Sequence, residues 1–247
     1  MSGGAPRLGL IAFGDSITHG GGELQWGVAL QSWALWTARG LGLPYTSYAV
    51  DGARAADVAG AQLRAVAARS AHPDGRYDLG TLYAGVNDVR APDWDRERFA
   101  ADHRTVLDWL AARCERVLTA TIPLDLGRPR PPAGAVAAAN AAIEAGAAAT
   151  GALVLDLRDF RGRNLVMADH VHPTAFGQIA LAERALAVLA ADGLPPRVHP
   201  CALIVWDETP RGRLRGDVTY AWRHLKVSLR AARLRLAARR REAAGGA

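Results

Sequence analysis

The sequence predicts an α/β protein built on a five-stranded parallel sheet and followed by a basic amphipathic helix at its C-terminus. Three observations predict it. Five apolar runs of strand length alternate with longer stretches of helical periodicity, the order expected of successive βα units. Half of the 247 residues are apolar and 22% are charged, an ordinary balance for a folded chain that excludes disorder throughout. Gly193, Pro195, Pro196 and Pro200 then cluster directly after the last periodic stretch of the body, which marks the end of one compact domain.

The first strand is read at residues 8–13, where Leu8, Leu10, Ile11 and Phe13 form an apolar run too short for a signal-peptide core or a membrane span. A helical pattern follows at 25–39, then a strand at 45–50, a helix at 55–69 and a strand at 78–84. The alternation continues with a helix at 96–113, a strand at 116–122, a helix at 135–149 and a strand at 152–157. The last body helix runs over 174–191, with Thr174 as its N-cap. The Ala-rich stretches read as helices rather than linkers, and no repeat of solenoid period occurs. The expected organisation is a domain over 1–193, a Pro/Gly/Arg-containing linker over 194–216 and a helical tail over 217–247.

Charge is divided unevenly between these parts. Residues 1–200 carry 19 basic and 20 acidic side chains, whereas 201–247 carry 11 basic and 4 acidic, so the tail alone holds 11 − 4 = +7. Two cysteines, Cys114 and Cys201, make neither a disulfide framework nor a C-x-x-C metal pair. A reduced, cytoplasmic setting is therefore expected.

In a parallel sheet, ligands bind outside the carboxyl ends of the strands, so the loops there are where chemistry is sought. Of six serines, only Ser16 directly follows an apolar strand in a Gly-containing loop, Phe13-Gly14-Asp15-Ser16-Ile17-Thr18-His19-Gly20. It is a candidate nucleophile, with helix capping as the alternative role. Downstream, Asp169-His170-Val171-His172-Pro173 lies between the fifth strand and the last helix. An Asp three residues before a His can fold back onto Nδ1 and leave Nε2 as a base; the alternative is that Asp169 caps the helix and His172 is an ordinary surface or turn histidine. Two further loops reach the same edge, Val50-Asp51-Gly52-Ala53-Arg54 and Ala84-Gly85-Val86-Asn87-Asp88. Acyl transfer needs converging N–H donors for an oxyanion. Gly52, Asn87 and Ser16 can supply them, while turn formation is the alternative for Gly52 and Asn87.

These four segments, in this order and on these strand ends, closely resemble the SGNH subgroup of the GDSL esterase/lipase family, over residues 8–191. The resemblance implies Ser16 as nucleophile, His172 as base, Asp169 as orienting acid, and Ser16, Gly52 and Asn87 as oxyanion donors. It also implies a three-layer α/β/α, flavodoxin-like fold and a serine hydrolase acting on a small acyl ester or O-acetyl group. Ile17 replaces the Leu of the family's name, and Asp51 stands where many members have a small residue, a change that bears on substrate preference.

Other chemistries fit less well. His170 and His172 form an H-x-H pair that would need a third zinc ligand, for which His19 is the one near candidate. The run Gly20-Gly21-Gly22 completes no phosphate-binding motif, and the single lysine, Lys226, lies in the tail. No cofactor is implied. An acyltransferase using the same acyl-enzyme, and a non-catalytic binding module anchored by the tail, are the alternatives; the presence of Ser16, Gly52, Asn87, Asp169 and His172 together argues against a decayed site.

In the tail, Val218, Trp222, Leu225, Leu229, Ala232 and Leu236 recur at spacings of four and three, beside Arg223, Lys226, Arg230 and Arg233. Three readings compete for this basic amphipathic helix: its apolar stripe docks on the body, lies on an anionic membrane surface, or accompanies charge that attracts nucleic acid. Docking ranks first because most such stripes are buried within their own protein. Nucleic acid ranks last because no recognised module accompanies the charge.

Overall fold

The computed structural model describes residues 7–69, 75–205 and 209–245. Ser2, Ser70, Trp206 and the last two residues of the tail lie outside them. The elements run β1 (Leu10–Gly14), α1 (Ser16–His19), α2 (Trp33–Leu41), β2 (Tyr45–Ser47), α3 (Ala55–Asp57), a π turn (Val58–Gln62) and α4 (Leu63–Arg69). They continue with β3 (Tyr77–Tyr83), α5 (Val86–Arg90), α6 (Arg96–Arg113), β4 (Cys114–Ala120), α7 (Ala135–Thr150), β5 (Leu153–Leu155) and α8 (Ala175–Ala191). A 3₁₀ turn (Pro200–Leu203) and α9 (Pro210–Gly245) complete the described chain.

All strand pairs are parallel, in the order β2-β1-β3-β4-β5. This is the flavodoxin-like order, with the switch point between β1 and β3. Strand alternation divides the core into two layers. Leu10 and Ala12 of β1 pack with Trp33 and Ala34 of α2 and with Leu181 and Leu186 of α8. Ile11 and Phe13 face the other way, against Val66 of α4 and Val106, Leu107 and Leu110 of α6. The predicted three-layer α/β/α sandwich is thus the observed one.

Three expectations are corrected. The helix read from residue 25 starts at Trp33, because Trp26 and Gly27 have positive φ (49° and 83°) and Ser32 caps the later start by accepting from Leu35 N at 3.1 Å. The stretch read as a linker does not begin at 194. Arg197 N and Val198 N donate to Gly40 O (2.8 and 3.1 Å), Cys201 N donates to Glu183 Oε1 (2.9 Å), and Pro200 is buried, so this segment is strapped across α2 and α8. The tail helix begins at Pro210 rather than 217. Thr209 accepts from Gly212 N through its hydroxyl and from Arg213 N through its carbonyl, and Pro210 in the first turn needs no amide partner.

Candidate active site

β1 is buried along its whole length and ends at Gly14, whose φ of 149° is open to glycine. A Cβ there would lie 2.3 Å from the carbonyl oxygen of Tyr83, so the neighbouring strand also demands a bare backbone. The side-chain amide of Gln62, carried by the π turn, accepts from Gly14 N (3.1 Å) and donates to Gly14 O (2.8 Å). The strand end is clamped. Asp15 then caps α1 by accepting from Ile17 N at 2.9 Å, and burial pushes its carboxyl up to about 7. Ser16 opens α1 immediately beyond.

Ser16 Oγ lies 2.9 Å from Nε2 of His172, and His172 Nδ1 lies 2.7 Å from Oδ2 of Asp169. The loop between β5 and α8 folds tightly enough for this because Asp169 Oδ1 accepts from Val171 N (2.9 Å) and His172 N (3.0 Å) while Oδ2 serves the ring. Met167 N closes the loop by donating to His172 O at 2.8 Å, and Thr174 caps α8 through Gly177 N. The Asp169 hydrogen bond raises the His172 pKa above 6.5 against the opposing effect of burial. Burial pushes the Asp169 carboxyl up, but its bonds to His172 and to the two backbone amides outweigh that and hold it below the usual range. The line from hydroxyl to imidazole to carboxylate suits proton transfer out of Ser16.

The second and third loops meet beside this line. Ala53 N donates to Val50 O (3.2 Å) in a turn whose third residue, Gly52, has φ +76°, and Val50 N donates to Gly14 O (3.1 Å). That φ is one an L side chain rarely adopts. Asn87 Nδ2 donates to Ala53 O at 3.0 Å, which uses one of its two amide hydrogens and leaves the second for a ligand. Both oxygens of Asp88 accept from Ala55 N (3.1 and 3.2 Å), and burial pushes this carboxyl up to about 6. Gly52 and Asn87 are therefore joined through Ala53, and both to the Ser16 strand end through Val50.

A family model described as GDSL-like Lipase/Acylhydrolase family matches residues 12–179. The chain belongs to this family. The match runs from within β1 to the first turn of α8, and with it the protein is a carboxylic ester hydrolase of the SGNH type. No curated protein matches the sequence. Among solved structures, LAE5, an alpha/beta hydrolase enzyme from the metagenome of Lake Arreo, Spain, is 18% identical with a TM-score of 0.59, covering 75% of this chain and 96% of its own. Axe2, an acetylxylan esterase from Geobacillus stearothermophilus, is 19% identical with a TM-score of 0.56, covering 76% of this chain and 96% of its own. At these identities the likeness is one of fold.

Around the Asp169–His172 loop of this GDSL-family hydrolase the histidines separate. His172 engages Asp169, His170 Nδ1 lies 3.3 Å from Asp125 Oδ2, and His19 Nδ1 lies 2.8 Å from Asp51 Oδ1. The H-x-H pair and His19 thus point to three different carboxylates, and no group of three or more metal-ligating side chains occurs among the described residues. The glycine run proves to be a packing device: a Cβ on Gly21 would stand 2.8 Å from Ser16 O and 3.3 Å from His172 Cδ2.

Two buried amides that hold the Ser16 turn, Gln62 and Gln178, have no counterpart in the sequence analysis. Gln62 holds Gly14, as above. Gln178 on α8 accepts from Trp33 N (2.7 Å) and donates to Ile17 O (3.0 Å) and Gly21 O (3.1 Å), so it ties the Ser16 turn to the helix that follows His172. The available signal was a lone polar residue on the apolar face of an amphipathic helix, which names no partner.

Proposed function

We propose that this hydrolase cleaves a small acyl ester or an O-acetyl group through an acyl-enzyme on Ser16. The observation that carries the reading is the Ser16–His172–Asp169 line, with contacts of 2.9 and 2.7 Å. His172 Nε2 takes the hydroxyl proton as Oγ attacks the ester carbonyl, and Asp169 stabilises the imidazolium that forms. The tetrahedral oxyanion is met by the backbone N–H groups of Ser16 and Gly52 and by the second amide hydrogen of Asn87. Ser16 opens α1, so its N–H has no partner within the helix. Collapse expels the alcohol, which takes the proton from His172, and water then resolves the acyl-enzyme with His172 again as base.

The rim supports a polar alcohol portion. His19 and Asp51 form an exposed pair on α1 and on the Gly52 turn, and Arg54 is bonded to Asp93 just beyond. A shared fold with an acetylxylan esterase adds weight to acetyl esters of polar alcohols. The test is a screen of p-nitrophenyl esters of graded chain length beside acetylated sugars, with Ser16→Ala as control. Turnover highest on acetyl and other short chains supports the reading. Preference for long chains refutes the small-acyl assignment, and turnover retained in Ser16→Ala refutes the acyl-enzyme.

A further inference from the structure

α9 docks on the body by the face that its sequence does not advertise. Gly212 and Gly216 are buried, and a Cβ on Gly216 would fall on the indole of Trp26. Arg223 pairs with Glu23 and Asp217 with Arg163, whose guanidinium also sits 5.9 Å from the ring centre of Tyr220. The His224 ring lies 6.5 Å from that of His170, beside the catalytic loop. The apolar stripe faces away. Leu214, Val218, Trp222, Leu225, Leu229 and Leu236 are between 49% and 64% exposed. At 3.6 residues per turn they fall within an arc of about 80°, roughly opposite Gly212, Gly216 and Arg223. The docking expected of this stripe is therefore not what the structure shows.

We infer that α9 is a peripheral anchor that lays this stripe on the surface of an anionic phospholipid bilayer. Charge decides among the occupants. Over 210–245 the sequence has 11 basic and 2 acidic residues, and the pairing of Asp217 with Arg163 offsets that of Arg223 with Glu23. Arg215, Lys226 and Arg233 line one flank of the stripe, and Lys226 sits 5.1 Å over the Trp222 ring. A second copy seated on the stripe would bring two strongly cationic helices together, which an unscreened low-dielectric contact opposes. Nucleic acid would neutralise the arginines and leave the leucines in water. An anionic bilayer satisfies both faces: the indole and aliphatics enter the acyl boundary while the basic flank meets phosphate headgroups. No helix of the described residues is long and apolar enough to cross a membrane, so the contact is one of lying on the surface.

The experiment compares sedimentation of the full-length protein with vesicles of phosphatidylcholine and of phosphatidylcholine mixed with phosphatidylglycerol. Its readout is independent of ester turnover. Binding is expected to the mixed vesicles only and to weaken as salt is raised. Changing Trp222, Leu225 and Leu229 to Gln keeps good helix formers in place and should weaken binding by roughly tenfold per residue. Changing Arg215, Lys226 and Arg233 to Gln should weaken it by roughly fivefold per charge. Hydrolysis of a soluble ester and helical circular dichroism check that both variants fold. Equal sedimentation with neutral and anionic vesicles overturns the inference. So does duplex DNA binding that depends on the charges without vesicle binding, or a concentration-dependent dimer that the Gln variants convert to monomer.

Discussion

Ser16 Oγ and His172 Nε2 lie 2.9 Å apart, although the two residues are 156 positions apart in the chain. They meet because β1 ends at a clamped glycine and because α8 is held by Gln178 to the turn that carries the serine. The geometry is thus a property of the sheet edge and of the amides of Gln62 and Gln178 as much as of the Asp169–His172 loop.

Ser16→Ala should lower turnover of a small ester by roughly 10⁴-fold or more and block fluorophosphonate labelling, with His172→Ala comparably severe. Asp169→Asn should retain roughly 10–100 times the activity of Ser16→Ala, because the carboxylate orients and stabilises rather than reacts. Labelling that survives in Ser16→Ala would move the nucleophile elsewhere.

Asn87→Ala should reduce kcat by roughly 10²–10³-fold with KM little changed. Steady-state kinetics on one soluble ester separates this from a loss of the Ala53 contact alone, since a loosened loop without an oxyanion role would show chiefly in KM.

In the proposed mechanism His172 must be neutral to accept the serine proton. Its pKa is raised above 6.5, first by the bond to Asp169, so kcat/KM should fall as pH drops through that raised value. In Asp169→Asn the inflection should move to lower pH. The stability contribution of His172 has the opposite sign: it is present in full below the unfolded imidazole value and is lost as pH rises through the folded one. A pH–rate profile whose acid limb is unmoved in Asp169→Asn would contradict the assignment.

Gln178→Leu takes the side-chain partner from Trp33 N and Ile17 O in a buried position, at about 1–3 kcal/mol each before relaxation, and from Gly21 O in a partly buried one. Urea unfolding should show a loss of roughly 2–4 kcal/mol, and kcat should fall because the Ser16 turn is released from α8. A stable variant with unaltered kcat would show that Gln178 does not position the serine.

Truncation after Val205, which keeps the strap over α2 and α8, should leave hydrolysis of a small soluble ester largely intact. The ion pairs lost, Arg223 to Glu23 and Arg163 to Asp217, are partly exposed and are worth roughly 0–1 kcal/mol each. Loss of most activity would assign α9 a part in the site itself.

Legible in the chain alone are the alternation of five strands with helices, the limits of α6 at 96–113, the cap at Thr174 and the four loops that hold Ser16, Gly52, Asn87, Asp169 and His172. These are local properties: periodicity, capping and glycine placement act over a few residues, and Asp169 reaches His172 within one turn. The sheet order, the break before Trp33, the partners of Gln62 and Gln178, and the face of α9 that meets the body emerge only on folding. A buried amide carries the same sequence signal whatever it bonds, because its partners come from other elements. The tail shows the converse. Its strongest periodicity belongs to a stripe left in solvent, while Gly212 and Gly216, which read as linker residues, allow close approach to Trp26. Hydropathy records which side chains avoid water, and the surface that covers them is set by shape and charge elsewhere in the fold.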